Sequence, residues 1–289
     1  GCYHIASFAC GSNHALSKIS RKGYRMKKFG NFNILALVIG FSFLYIPIIL
    51  LILFSFNESR LVTVWGGFST KWYGELMQNQ GIKDAAWVTI KVAFVSSTIA
   101  TILGTIAGLV MTRFGHFRGR TLFSGMIYAP MVMPEVIIGL STLLMFVALA
   151  VDRGVMTVTL AHITFSMCYV AVVIQSRMSS YDDSITEAAL DLGCTPFRTF
   201  ILITLPIILP AVVAGWLLSF TLSLDDLVIA SFTSGPGSTT LPMKIYSMVR
   251  LGVTPEINAV STILVGLVTL GVISASIIGR RQKQNVIKV

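Results

Sequence analysis

The sequence is poor in charge. Asp, Glu, Lys and Arg make up 12% of the 289 residues, and hydrophobic residues make up 54%. An ordinary soluble domain has about 25% charged residues. This composition excludes such a domain and predicts an integral membrane protein.

Motifs of catalytic sites are also missing. The chain has no GxxxxGK[ST] phosphate loop and no Gly-Lys dipeptide, so it cannot hold ATP by that route. It has no HExxH motif, and His162 stands in the sequence without a paired nucleophile and base, which is typical of a packed, hydrogen-bonded histidine. The four cysteines form no CxxC pair, so no disulfide framework is predicted. We therefore expect neither an enzyme nor a metal site.

Long apolar runs take the place of these motifs. A membrane-spanning helix needs about 20 apolar residues, whereas a barrel strand has about 10 residues of alternating character. The runs here are continuous, which predicts an all-α membrane protein. Six spans are expected over residues 33–56, 86–112, 121–150, 155–176, 204–230 and 256–279.

The net charge of +10 is explained by the membrane and does not indicate nucleic acid. Most Lys and Arg residues precede the first span, follow the second and the fourth, or lie at the end of the chain. Six spans put all these positions on one side. The positive-inside rule predicts that both termini and the segment around Glu187 are cytoplasmic in a bacterial inner membrane.

The ends differ from the middle of the chain. Residues 1–25 have no span-length apolar run and no cleavage signal, so we expect a disordered or artefactual extension before Met26. Residues 26–281 form the predicted membrane domain, and residues 282–289 a cytoplasmic tail. A zinc site in the extension is disfavoured because the spacing fits no established finger; it would use Cys2, His4, Cys10 and His14.

Small residues and prolines shape the spans. Ala100, Gly104 and Gly108 recur every four residues, which puts them on one helix face that another helix can approach closely. Packing inside the chain is favoured over a subunit interface. Prolines remove backbone donors, so helices are expected to bend or begin at them. They are Pro47, Pro130, Pro134, Pro206 and Pro210.

The predicted cytoplasmic segment contains two short helices. The first is amphipathic, with an apolar face at Ile185, Ala188, Ala189 and Leu192. Gly193 suits the left-handed residue that ends it. Thr195 as N-cap and Pro196 at the first helical position predict that a second helix starts at once. The alternative is a helix lying in the lipid interface, which acidic residues such as Glu187 disfavour.

This segment resembles the EAA signature of bacterial ABC-importer permeases. The match consists of Glu187, Ala188 and Ala189, three residues, Gly193, nine residues, Ile203, one residue, then Leu205 and Pro206. Flanking stretches are similar to permeases of the spermidine/putrescine branch, and more to its putrescine type, over essentially residues 26–281. These stretches are residues 56–76, 129–141, 223–250 and 253–264.

The resemblance implies a type I permease with a cytoplasmic coupling-helix loop. In that family two permeases form the pore, here expected as a heterodimer, and a cytoplasmic ATPase subunit binds the ATP. A periplasmic binding protein delivers the solute, here a polyamine. Glu187, Ala188 and Ala189 are then expected to contact the ATPase, and Gly193 to supply the bend ahead of Ile203, Leu205 and Pro206. The chain itself is expected to need no cofactor.

Acidic residues in or near spans are candidates for the substrate pathway. Aspartate at a helix centre costs about 2.5–3.5 kcal/mol, so such residues usually face protein or water. Ammonium groups pair with carboxylates and aromatic faces. The candidates are Glu135, Asp225, Asp226, Trp216 and Phe220. The alternative for the two aspartates is that they cap or connect helices near the outer interface.

Other functions stay open at this stage. The segment Thr233–Leu241 contains Gly235, Pro236 and Gly237, and either meets a binding protein or only links two spans. The cargo of a related permease can be another solute, such as ferric iron or thiamine. A cation transporter that works without an ATPase would not need the EAA segment.

Overall fold

The computed structural model describes residues 31–60, 64–252, 254–266, 268–270 and 273. These residues are almost entirely helical; among them the only β-type pairing is an isolated bridge between Asn57 and Phe68. The predicted N-terminal extension, the four candidate zinc ligands and the C-terminal tail lie outside the described residues. The helices are α1 (Asn31–Phe54), α2 (Lys71–Gln78), α3 (Gln80–Arg113), α4 (Arg120–Val132), α5 (Glu135–Ala148), α6 (Val155–Met178), α7 (Ser184–Asp191), α8 (Pro196–Thr199), α9 (Leu205–Asp225), α10 (Val228–Thr233), α11 (Leu241–Leu251) and α12 (Pro255–Leu270).

The chain divides into two units after Leu51. In the first unit the described residues belong to α1, an apolar helix that continues through Pro47. The second unit contains everything from Ile52 onward and is built around α3, α6 and α9.

Helices α3 and α6 approach so closely that side chains are excluded at two positions. A Cβ atom at Gly104 would lie 2.7 Å from the carbonyl oxygen of Met167, and one at Gly108 would lie 2.9 Å from that of Ala171. Ala100 on the same face is fully buried. The prediction that this small-residue face packs inside the chain is therefore confirmed.

Helix α3 defines the two ends of the second unit. Its 34 residues correspond to about 50 Å of helix. The Asn79 side chain caps its start by accepting from the Ile82 N–H at 3.3 Å. Next to that start, α2 and α11 share an apolar cluster that includes Trp72 and Leu241. The other end of α3 lies beside α7, so we call it the EAA end.

The third predicted span, residues 121–150, is broken at Pro134, and the expectation that a helix bends or begins at this proline is confirmed. Helices α4 and α5 meet at an angle of 117°. The cause is Pro134: the residue before a proline avoids helical backbone, and Met133 has φ −72° and ψ 141°. Helix α5 then packs against α10, where a Cβ atom at Gly139 would lie 2.6 Å from the Phe232 ring.

The fifth span differs from the prediction, because helix α9 ends at Asp225 and α10 begins separately at Val228. Helix α12 is described to Leu270, and most of the remainder of the sixth predicted span, up to residue 279, lies outside the described residues. Of the described helices, four are long and apolar enough to cross a membrane, and the α4–α5 pair would make a fifth. The count of six spans is thus not reproduced within the described residues.

Filling the α3–α6 contact should destabilise the protein. We expect Gly104→Ala to lower the free energy of unfolding by about 1–3 kcal/mol, because the new methyl group forces two backbones apart. The matched control is Gly125→Ala in α4, where a Cβ atom meets nothing within 4 Å. Chemical unfolding of both variants in detergent measures the difference. Equal stabilities would contradict this account of the contact.

Candidate functional site

Helix α7 carries the first part of the EAA motif and presents much of its surface outward. Glu187 and Ala188 are exposed, as are Ile185 and Leu192, the latter at 86%. Ala189 differs, because it is buried within this chain. An exposed face with apolar side chains and one acid fits a protein partner better than bulk water.

The Asp182 side chain forms a turn just before α7. Its carboxylate accepts from the Ser184 N–H at 3.0 Å. Hydrogen bonds from the side chain and backbone of Ser184 hold the pKa of Asp182 below its ordinary value. The contribution of this hydrogen-bonded turn is present at neutral pH and is lost as the pH falls through that lowered pKa.

A sharp hinge separates α7 from α8. Gly193 has φ +85°, the left-handed conformation predicted from the sequence. Thr195 caps α8 by accepting from the Arg198 N–H at 3.5 Å, and Pro196 occupies the first turn. Both features of the predicted hinge are confirmed. A Cβ atom at Gly193 would meet nothing within 4 Å, so only its backbone conformation favours glycine there.

A π-helical turn, Phe200–Thr204, joins α8 to α9 and contains Ile203 of the motif. The N–H of Leu205 donates to the carbonyl of Phe200, five residues earlier. Pro206 has no N–H to donate to the carbonyl four residues before it, which weakens ordinary helical bonding at this point. Leu205 packs against the cluster of Val170, Ile174, Met178 and Ile208. The last part of the motif therefore connects the hinge to the core of the bundle.

A buried polar network lies toward the other end of the unit. Nδ1 of His162 lies 2.6 Å from Ser223 Oγ, and Nε2 lies 3.1 Å from Asp226 Oδ2. Ser96 donates to Ser223 at 3.2 Å. Asp226 also accepts from the N–H groups of Ile229 and Ala230, so it caps α10. The network joins α3, α6, α9 and α10.

These contacts decide the role of Asp226 and His162. His162 has partners that are distant in sequence, and it is hydrogen-bonded as expected. Ser223, His162 and Asp226 have the side chains of a hydrolase triad, but each side chain is less than a tenth exposed, which leaves no room for a substrate at the Ser223 hydroxyl. The capping alternative for Asp226 is thus confirmed.

Asp225 and the aromatic pair lie on opposite sides of α9. Trp216 and Phe220 stack with ring centroids 5.1 Å apart, and Trp216 Nε1 donates to Thr98 of α3 at 3.2 Å. Asp225 is nine residues after Trp216, which is about 180° around the helix. It is exposed, as is Glu135 at the start of α5. The structure therefore does not bring the five candidate pathway residues together.

No metal site is evident: in the part of the chain that the structure describes, no three His, Cys, Asp or Glu side chains are grouped to hold an ion.

Comparison with known proteins identifies the family of this chain. Residues 100–288 match the family described as "Binding-protein-dependent transport system inner membrane component". The chain belongs to this family. It is 55% identical over 260 residues to the putrescine transport system permease protein PotI of Escherichia coli (strain K12), covering 88% of this chain and 92% of that protein. It is 44% identical over 240 residues to the spermidine/putrescine transport system permease protein PotC of the same strain, covering 83% and 90%.

Solved structures of ABC transporters share the fold of this chain. A bacterial ABC transporter involved in the import of the acidic polysaccharide alginate matches with a TM-score of 0.67 and 18% identity, covering 86% of this chain and 93% of that one. The MetNI methionine ABC transporter matches with a TM-score of 0.59 and 18% identity, covering 74% and 98%. The fold is therefore that of ABC-importer permeases, as the EAA motif predicted.

Two parts of the site were missed by the sequence analysis. The first is the partnership of His162 with Ser223 and Asp226. The second is a contact of Arg113 with the start of α7. Both join residues more than 60 positions apart, and no local pattern signals such pairs. A polar residue inside an apolar run was the available signal for the first.

Asp226 and Asp225 form a matched pair for testing the network. We expect Asp226→Ala to lower the free energy of unfolding by about 3 kcal/mol or more, because it leaves His162 and the start of α10 unpaired in a buried site. Asp225→Ala, next in sequence but exposed, should change it by no more than about 0.5 kcal/mol. Thermal unfolding in detergent compares them. A similar loss in both variants would show that burial of the network is not the cause.

Proposed function

We propose that this chain is a membrane subunit of an ATP-driven importer of polyamines, with putrescine as its main cargo. The observation that carries the proposal is the 55% identity to a putrescine permease over nearly the full length of both chains. The fold alone does not identify the cargo, since solved transporters of alginate and of methionine share it.

The energy source in this proposal is a separate ATPase that docks on α7. Support comes from the exposed Ile185, Leu192 and Glu187, and from the lack of a phosphate loop in the sequence. The EAA end then faces the cytoplasm, in agreement with the distribution of Lys and Arg. A second permease completes the pore, and a periplasmic polyamine-binding protein docks at the other end, near α2 and α11.

The coupling mechanism is a rigid-body transfer through the hinge. When the ATPase pair closes, the docked α7 moves, and the fixed angle at Gly193 and Pro196 passes that motion to α8. The π-helical turn and Leu205 deliver it to α9 and the cluster on α6. Ile203, Leu205 and Pro206 therefore act inside this chain, whereas Glu187 and Ala188 contact the ATPase.

The substrate pathway follows the acidic side of α9. An exposed carboxylate is expensive in lipid, about 2.5–3.5 kcal/mol at a helix centre and less toward its ends, whereas the half-buried rings of Trp216 and Phe220 carry no such cost. We therefore assign Asp225 and Glu135 to the water-filled path, where they attract ammonium groups. Trp216 and Phe220 face lipid or the second permease. Asp226 is excluded from the path because both of its carboxylate oxygens have hydrogen-bond partners within this chain.

Uptake by the reconstituted complex tests this function. The chain is assembled in proteoliposomes with its ATPase, the second permease and the binding protein, and labelled putrescine is supplied outside. We expect uptake that requires ATP and is lost when the ATPase is omitted. Uptake without the ATPase would indicate an autonomous transporter, and uptake of ferric iron or thiamine in place of putrescine would refute the assigned cargo.

The same assay tests the assigned path. Asp225→Asn should lower putrescine uptake, while stimulated ATP hydrolysis continues, because only the attraction for ammonium groups is removed. Ordinary uptake by this variant would remove Asp225 from the path.

The hinge is tested by Gly193→Val. A β-branched residue in the left-handed region costs about 1–2 kcal/mol, and the chain relieves that strain by changing the angle between α7 and α8. We expect the variant to insert into the membrane and to hydrolyse ATP, but to import less putrescine per ATP. Gly125→Ala, at an open position in α4, is the control. An unchanged ratio would contradict the hinge mechanism.

A further inference from the structure

We propose that Arg113 is a positioning residue that connects α7 directly to α3, and so gives the coupling motion a second route into the bundle. The proposal rests on the proposed function, because it deepens the mechanism of the same site. The first route is covalent, through Gly193 and α8. The second consists only of side-chain contacts.

The guanidinium of Arg113, in the last turn of α3, makes three contacts with the start of α7. Nη1 lies 3.0 Å from Asp183 Oδ1, and Nη2 donates to Thr186 Oγ1 at 3.2 Å. The guanidinium carbon lies 4.7 Å from the centre of the Tyr181 ring. The Tyr181 and Thr186 hydroxyls lie 2.9 Å apart, so two of the three partners also contact each other.

The geometry of this contact is suited to positioning more than to stability. The Asp183 side chain is 64% exposed, and exposed ion pairs contribute little to folding because water and salt screen them. A planar guanidinium with one directed hydrogen bond, one ion pair and an aromatic ring against its face nevertheless defines an orientation, which an ammonium group does not. Loss of Arg113 should therefore leave the fold intact while freeing α7 to rotate.

The end of α3 that carries Arg113 is itself held. Arg120 donates from Nη2 to the carbonyl of Met111 at 3.0 Å, and also donates to the carbonyl of Gly115. Nearer the middle of α3, Gly104 and Gly108 pack so closely against α6 that no side-chain atom fits between the two backbones. Thr98 of α3 accepts from Trp216 of α9. A displacement of α7 through Arg113 would thus move α3 together with α6 and α9.

The other polar groups near this contact do not replace it. Arg118, five residues away in the loop after α3, is exposed and makes no ion pair or hydrogen bond with the residues that the structure describes. It has the same charge and lies at the same end of the unit. Arg118 is therefore the matched control for Arg113.

The experiment measures putrescine imported per ATP hydrolysed by the complete complex in proteoliposomes. Arg113→Ala should lower this ratio about fivefold or more, the lower range of measured coupling between sites. Arg113→Lys should give a ratio between those of the wild type and Arg113→Ala, because lysine keeps the charge but cannot contact Asp183 and Thr186 through two separate nitrogens. Arg118→Ala should match the wild type. The unfolding temperature of each variant should equal that of the Arg118→Ala control.

A double-mutant cycle identifies the partner. If Arg113 acts through α7, then Arg113→Ala combined with Asp183→Asn should lower the putrescine-to-ATP ratio no further than Arg113→Ala alone. Should Arg113→Ala fail to assemble, Asp183→Asn and Thr186→Val approach the same contact from the exposed side, and together they should lower the ratio.

The outcomes separate the two proposals. A wild-type complex that imports no putrescine refutes the proposed function. A wild-type complex that imports putrescine, with an Arg113→Ala ratio equal to that of Arg118→Ala, overturns the positioning role alone. A drop in unfolding temperature that accounts for the lower uptake of Arg113→Ala would also overturn it, because the residue would then be structural.

Discussion

The contact between α3 and α6 is the constraint on which the rest of the second unit depends. It exists because Gly104 and Gly108 have no side chains, and the backbones come close enough that a single methyl group would touch a carbonyl oxygen. In a membrane, apolar side chains gain little by leaving lipid for protein, so close packing of this kind takes over the role that hydrophobic burial has in water. Helix α9 lies against both helices, and the EAA segment reaches the bundle through α9 and through the end of α3.

The buried network around His162 is a second constraint on the same helices. His162, Ser223, Asp226 and Ser96 are buried, yet each has a partner within the network. Unpaired, such groups would cost several kcal/mol in a region without water. Asp225 shows the contrast: one position earlier, it points about 100° away and stays exposed. Two adjacent aspartates thus differ in environment: Asp226 connects four helices, and Asp225 is exposed.

The EAA segment combines an exposed surface with two connections to the bundle. Helix α7 presents Glu187 and Ala188 outward, while Ala189 faces its own chain. A left-handed glycine, a capped helix and a π-helical turn form one connection, and the side chain of Arg113 forms the other. Two connections constrain the orientation of α7 as well as its position, and the proposed coupling mechanism depends on both.

Features that depend on neighbours along the chain could be predicted from the residues alone. The apolar runs determined the membrane class, and Gly193, Thr195 and Pro196 determined the hinge, because backbone preferences and capping act within a few residues. The spacing of Gly104 and Gly108 determined a helix face for close packing. What meets that face, the 117° angle at Pro134 in the third span and the choice of buried aspartate were set by the tertiary structure. Those outcomes depend on distances between segments far apart in sequence, such as Arg113 and Asp183 or His162 and Asp226, and no local propensity encodes such distances.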